Sequence, residues 1–202
     1  MYFITFEGID GAGKSTQATM LKHYLTEKGI DCILIREPGS TMVGEKLRNI
    51  VLTDKTNIID PITEVYIFAA ARAQLVREVI RPNLANKTVV ICDRFVHSSL
   101  VYQGVARGLS TEIVADINKI AVDGLQPDLT FFIDIPITTS VARKDPSELD
   151  RIEIEAESFK ARIYDGYQTL TQTHGFVSIN GTHPIHEIHQ QVIQQLQPLL
   201  NL

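Results

Sequence analysis

The chain has 202 residues, 44% hydrophobic and 21% charged. This size and balance fit a single globular domain over 1–202 and exclude long disorder, collagen-like repeats and a coiled-coil rod. With 19 Lys and Arg against 24 Asp and Glu, the formal charge is -5, which argues against non-specific nucleic-acid or anionic-membrane binding but leaves a local phosphate site open.

Short apolar β-branched runs alternate with longer stretches of helical period. In chain order the spacing predicts a strand over Tyr2–Phe6, a helix over Ser15–Lys28 closed by Gly29, and a strand over Cys32–Arg36. A helix over Thr63–Ile80, stopped by Pro82, and a strand over Thr88–Cys92 follow. Next come a helix over Thr111–Val122 behind the capping residue Ser110, a strand over Leu129–Asp134, a helix over Ala156–Gln172, a strand over Phe176–Ile179 and a helix over Pro184–Leu199. Strands this short and apolar are covered on both faces, and β–α alternation implies a parallel sheet between helical layers, an α/β fold. Lys144–Ile154, with Pro146 and alternating charges, reads as a mobile surface loop.

No apolar run approaches the length that spans a bilayer, and Met1–Glu7 has neither the basic start nor the long apolar core of a signal peptide. A cytoplasmic protein is expected. Cys32 and Cys92 both sit in strand-like runs and read as buried, reduced thiols. No Cys/His cluster has zinc spacing.

The strongest chemical signal is Gly8-Ile9-Asp10-Gly11-Ala12-Gly13-Lys14-Ser15, which matches G-x-x-x-x-G-K-[ST] between a predicted strand and a predicted helix. Glycines let backbone N–H groups close around an anion, and the helix that starts there points its positive end at the same anion. Lys14 brings a full charge to the β- and γ-phosphates, and the Ser15 hydroxyl can ligate Mg²⁺. As a loop residue, Lys14 is expected to be exposed and to contribute little to packing. Asp93 and Arg94 follow the third strand. If that strand neighbours the first, Asp93 suits the Mg²⁺ side, directly or through water, and the Arg94 fork suits a second phosphate, a neighbour salt bridge being the plainer reading. Phe68 and Arg72 share one helix face, where they can stack on a base and donate to its edge, although a Phe at helical spacing is more often core.

These segments resemble the thymidylate kinase family. The resemblance runs through Glu7–Thr16, Arg36-Glu37-Pro38-Gly39, Phe68–Arg72, Asp93-Arg94-Phe95, Ser98-Ser99, Tyr102-Gln103-Gly104, Arg107-Gly108, Pro127–Thr130 and Leu149–Glu153, and so covers nearly the whole chain. It implies a P-loop kinase fold, with a five-stranded parallel sheet, helices on both faces and a mobile lid at about 143–154. The implied reaction is ATP + dTMP → ADP + dTDP, in dTTP biosynthesis, with Mg²⁺. The resemblance assigns Gly8, Ile9, Asp10, Gly11, Ala12, Gly13, Lys14, Ser15 and Thr16 to the ATP phosphates, and Ser15 and Asp93 to the metal. For dTMP it implies Asp10 near the sugar 3′-hydroxyl, Phe68 on the thymine face and Arg72 at O4. Arg94 and Arg36 would grip the phosphate, Glu37 would orient the acceptor or metal, and Ser99 and Gln103 would line the base pocket. Tyr102 would fill the space of a ribose 2′-hydroxyl. A homodimer through the helices at Thr63–Ile80 or Thr111–Val122 is also implied.

The resemblance also implies a catalytic cation in either the phosphate loop or the lid; position 11 is Gly, so the loop carries no arginine and the cation is expected in the lid, Arg151 first and Arg143 second. The sequence departs from many relatives at Ser40, where a second glycine is common, and in a lid that looks short and arginine-poor. Three rivals remain at this point: a monophosphate kinase of other specificity, a GTPase switch and a non-catalytic ATP-binding protein. The GTPase reading lacks its guanine signature, since Asn86-Lys87-Thr88-Val89 has no acid.

Overall fold

The computed structural model describes residues 1–53, 58–145, 147 and 149–200. Five strands, β1 (Phe3–Glu7), β2 (Cys32–Arg36), β3 (Val89–Asp93), β4 (Leu129–Asp134) and β5 (Val177–Asn180), form one sheet in the order β2-β3-β1-β4-β5. Every pairing is parallel. The strand reading holds to within one residue at each end.

The two sides of β1 and β3 face different layers, because side chains alternate along a strand. Ile4, Phe6, Val89 and Ile91 join the larger core with Ala18, Leu21 and Leu25 of α1 (Lys14–Glu27). Phe3, Val90 and Cys92 join the other layer with Leu75, Val76 and Ile80. All five residues of β1 have no exposed surface. Even its Thr5 is satisfied, its hydroxyl 2.9 Å from that of Thr130.

The helices show where local signals hold and where they fail. The short α2 (Met42–Arg48), with a π-helical continuation to Thr53, has no counterpart in the predicted elements. α3 (Pro61–Leu75) starts two residues early, with Pro61 in its first turn and the Asp60 carboxylate accepting from the Ile62 N–H at 2.9 Å. Pro82 does not stop it. The chain continues through a π-helical stretch, Val76–Ile80, into α4 (Arg81–Ala85). The wider turn moves aside the carbonyl that a proline ring would strike, and Pro82 falls in the first turn of α4, where no N–H is needed. α5 (Val96–Ser99) and the π-helical stretch Leu100–Ala106 were likewise not foreseen.

α6 (Thr111–Val122) matches its predicted bounds, capped by Ser110 as expected. After β4 come α7 (Ile137–Ala142), α8 (Glu157–Thr173) and α9 (Ile185–Leu200). Cys92 is buried, but Cys32 is only partly so, because β2 is a sheet edge. Of the lid expected over 143–154, Pro146 and Glu148 lie outside the described residues. No described helix is long and apolar enough to cross a membrane.

Candidate active site

The chain leaves β1 to reach β2 and β3 on one side of it and β4 and β5 on the other. Such a reversal opens a crevice at the carboxyl ends of the strands. A cleft of about 630 Å³ lies there. Phe6 of β1 pairs with Asp93 of β3, so the loop after β1 and the Asp93-Arg94 pair meet at one end of the sheet.

The loop from Gly8 to Gly13 wraps the mouth of α1. Gly8 takes φ 142°. A Cβ there would come within 2.6 Å of the Ile133 carbonyl oxygen, so β4 admits only glycine at this point. Lys14 is not an exposed residue, as the sequence suggested. It is 6% exposed, and its ammonium donates to the Ile9 carbonyl at 3.0 Å across the loop. Burial, reinforced by Arg94, lowers its pKa to about 8, against the pull of Asp93, Asp10 and Glu7. The Ser15 hydroxyl donates to one Asp93 oxygen, while the other, Oδ1, is buried without a partner among the described residues. An unpartnered buried carboxylate oxygen beside a serine hydroxyl is a fitting donor set for a hard divalent cation.

Arg94 adopts φ 71°, uncommon for a side-chain-bearing residue, and enters the crevice from the end of β3. Its guanidinium donates to the Gly8 carbonyl at 3.0 Å, the Ser98 and Tyr102 hydroxyls at 3.1 Å each, the Tyr167 hydroxyl at 3.1 Å, and the Asp10 carboxylate. The partner is therefore Asp10, not the adjacent Asp93. Tyr102 also donates to Asp10 at 2.9 Å, and Lys144 stands 3.8 Å away. Burial opposes ionisation of Asp10, yet Arg94, Lys14, Lys144 and Tyr102 together hold its carboxyl well below the usual range.

The far wall comes from α3. Phe68 is half-buried, packing on the core while one side lines the cleft. Arg72, one turn on, is 2% exposed. Its guanidinium bonds Glu37 at 2.7–2.8 Å, Ser99 at 3.1 Å and the Asn118 side-chain oxygen. Burial pushes Glu37 up to about 7 despite Arg72, and its Oε1 has no partner among the described residues. Ser99, Tyr102 and Gln103 are buried along the same wall, while Arg36 sits at the rim, paired with Glu45 at 3.0 Å.

Nearly all the expected residues thus converge. Gly8 and Ile9 stand behind the cleft and support it through their carbonyls. The two arginines expected in a lid part company. Arg143 lines the cleft and donates to the Gly11 carbonyl at 3.2 Å and the Gly181 carbonyl at 3.0 Å. Arg151, the first expectation, is turned away: it pairs with Glu64 and donates to the Val51 carbonyl at 2.7 Å. A buried carboxylate outside the cleft outcompetes solvent for it.

Sequence reasoning missed Glu7 as a site residue. Fully buried, its carboxylate accepts from the Phe95 N–H at 2.9 Å, the Ser98 hydroxyl at 2.6 Å and the Tyr167 hydroxyl at 2.9 Å. Burial raises its pKa. The available signal was an acid closing an otherwise apolar strand. Asn118, behind Arg72, and Ser140, which donates to the Asp10 carbonyl at 2.6 Å, carried no local signal.

The thymidylate kinase family model matches residues 6–192. The thymidylate kinase of Caldanaerobacter subterraneus subsp. tengcongensis is 44% identical over 200 residues, covering 98% of this chain and 96% of that protein. That of Fervidobacterium nodosum is 44% identical over 193 residues, covering 95% and 96%. The crystal structure of thymidylate kinase from Ehrlichia chaffeensis superposes with a TM-score of 0.78 at 34% identity, over 97% of this chain and 98% of that one. With the phosphate loop, the Asp93-Arg94 corner and the Phe68–Arg72 wall meeting in one cleft, and with likeness along almost its whole length, the chain belongs to the thymidylate kinase family.

Proposed function

We propose that this chain transfers the γ-phosphoryl group of ATP to the phosphate of dTMP, giving ADP and dTDP in dTTP biosynthesis. The observation that carries the reading is one continuous cleft with a phosphate cradle at one wall and an aromatic–arginine wall opposite. A triphosphate held by the loop N–H groups, Lys14 and Ser15 then faces an acceptor phosphate held by Arg94 and, from the rim, Arg36. An oxygen of that phosphate attacks the γ-phosphorus while the bond to the ADP oxygen breaks. Transfer of this kind is mainly positioning and charge stabilisation, and no covalent intermediate is required.

Phe68 stacks on the base, Arg72 donates to its 4-carbonyl, and Ser99 and Gln103 line the pocket. Glu37, Ser99, Asn118 and the Phe95 carbonyl orient the Arg72 fork and take its donors, so reaching the base exchanges one of these contacts, the 3.3 Å bond to the Phe95 carbonyl being the longest. Tyr102 blocks the ribose 2′ position, its hydroxyl tied to Arg94 and Asp10. Ser15 and Asp93 would hold Mg²⁺, on the strength of the unpartnered Asp93 oxygen. When bound, Mg²⁺ neutralises charge on the phosphates. Arg143, not Arg151, is the lid cation, because it already touches the phosphate loop.

The reading includes a homodimer. Ile62 and Tyr66 of α3 and Ile113 and Ile120 of α6 are 38%, 58%, 48% and 80% exposed, an apolar face suited to a second copy. It also includes a cytoplasmic location, in keeping with free Cys32 and Cys92. The test is ADP release with ATP and Mg²⁺ across a monophosphate panel. dTMP should give the highest kcat/KM. Faster turnover of UMP or AMP would overturn the assignment.

A further inference from the structure

We infer that Glu64 is a specificity-determining positioning residue: it holds the Gln103 amide with its oxygen offered to the base, so that the pocket selects pyrimidines carrying a hydrogen on N3. This rests on the reading of the cleft as a dTMP site. Glu64, Phe68 and Arg72 fall at four-residue intervals on α3 and so form one stripe along the pocket wall. Phe68 and Arg72 line the cleft, and Glu64 stands behind it with no exposed surface.

Gln103 is 1% exposed, lines the cleft, and donates its Nε2 to Glu64 Oε1 at 2.9 Å. The same carboxylate is ion-paired with Arg107 at 3.2 Å and with Arg151. A carboxylate so paired only accepts. Turning the amide over would set two acceptors against each other in a buried site, so the NH₂ must face Glu64. The amide oxygen takes the opposite branch, away from Glu64, on a side chain that lines the cleft.

The consequence is chemical. Thymine and uracil present a donor at N3 beside an acceptor at the 4-carbonyl. Cytosine presents an acceptor at N3 beside a donor at the 4-amino group. Arg72 can only donate, and Gln103, fixed by Glu64, can only accept toward the base. Both match the first pattern and oppose the second.

The test compares kcat/KM for dTMP and dCMP in the full chain for wild type, Glu64→Gln, Gln103→Met and the double variant. Glu64→Gln should lower the dTMP/dCMP ratio about tenfold or more, through KM rather than kcat. Gln103→Met should do the same. The double variant should fall no further than Gln103→Met alone, because Glu64 acts through Gln103. A purely structural Glu64 would instead slow both substrates alike and leave the ratio intact, and that result, or additive losses in the double variant, overturns the inference. If Glu64→Gln does not fold, Glu64→Asp keeps the charge for the arginines but withdraws the carboxylate from Gln103, and it must lower the ratio too. A wild type inactive on dTMP overturns the function reading and this inference with it. An active wild type whose ratio survives both Glu64 variants overturns the inference alone.

Discussion

Lys14 shows how a residue can be named correctly and its surroundings misjudged. The motif identifies the ammonium by spacing alone, because a phosphate loop is built from consecutive residues. Its burial depends on the Ile9 carbonyl and on the approach of Arg94 from another strand. The distinction decides the right experiment. Lys14→Ala would leave a void as well as remove a charge, so Lys14→Met, which keeps the stem, is the cleaner variant. Turnover should fall by about 10² or more with little change in melting temperature, measured by coupled assay and thermal unfolding. Glu7 is the opposite case. Its importance comes from partners 88 to 160 residues away in sequence, so no local pattern marks it.

At the level of elements, Glu7 does the work of a cap. α5 is short and has no side-chain cap of its own at Phe95. The carboxylate at the end of β1 accepts from the Phe95 N–H, a donor that the helix start leaves open, and at 3.3 Å shares the Ser98 N–H with the Phe95 carbonyl. The Ser98 and Tyr167 hydroxyls that it holds are the same ones that contact Arg94. Glu7→Leu should therefore destabilise the protein by roughly 2–4 kcal/mol, by leaving the Phe95 N–H without its acceptor and the Ser98 and Tyr167 hydroxyls one acceptor short in the core. It should also weaken binding of the acceptor nucleotide. Urea unfolding and titration with dTMP check the two effects. The same scale explains the failed stop at Pro82: proline disfavours an ordinary helix interior, but tertiary packing of Leu75, Val76 and Ile80 under the sheet stabilises a widened turn that admits it.

At the scale of the molecule, the cleft closes on residues that no single element supplies. Arg143 reaches the phosphate loop and the turn after β5, while Arg151 anchors to α3. Arg143→Ala should lower kcat by about 10²–10³ with KM for dTMP changed only a few-fold, and Arg151→Ala should lower kcat less while reducing thermal stability. Steady-state kinetics on both variants decide between them. His97 gives the fold a pH dependence of its own. It packs edge-on against Phe176 and His174, joining α5 to the end of α8. Burial, with His174 and Arg72, lowers its pKa to about 3. Above the unfolded value of about 6.5 neither state binds the proton, and the stability is fully present. As pH falls through 6.5 only the unfolded chain takes the proton, so stability is lost at up to about 1.4 kcal/mol per unit. Between pH 7.5 and 5.0 the wild type should lose about 2 kcal/mol more than His97→Leu, by urea unfolding at each pH.

The sequence alone determined the strands and the phosphate loop, because these are written in consecutive residues or in simple periods, and its resemblance to a family pointed to most of the cleft's lining. Leu129–Asp134 and Gly8–Ser15 needed nothing beyond their own neighbours. Only the tertiary structure decided that Arg143 rather than Arg151 lines the cleft beside the phosphate loop, that Asp10 rather than Asp93 pairs with Arg94, and that Glu7 and Glu64 bond to cleft residues from behind. Those outcomes turn on which buried carboxylate a cation or amide can reach once the strands are ordered, and that competition has no signature in sequence spacing.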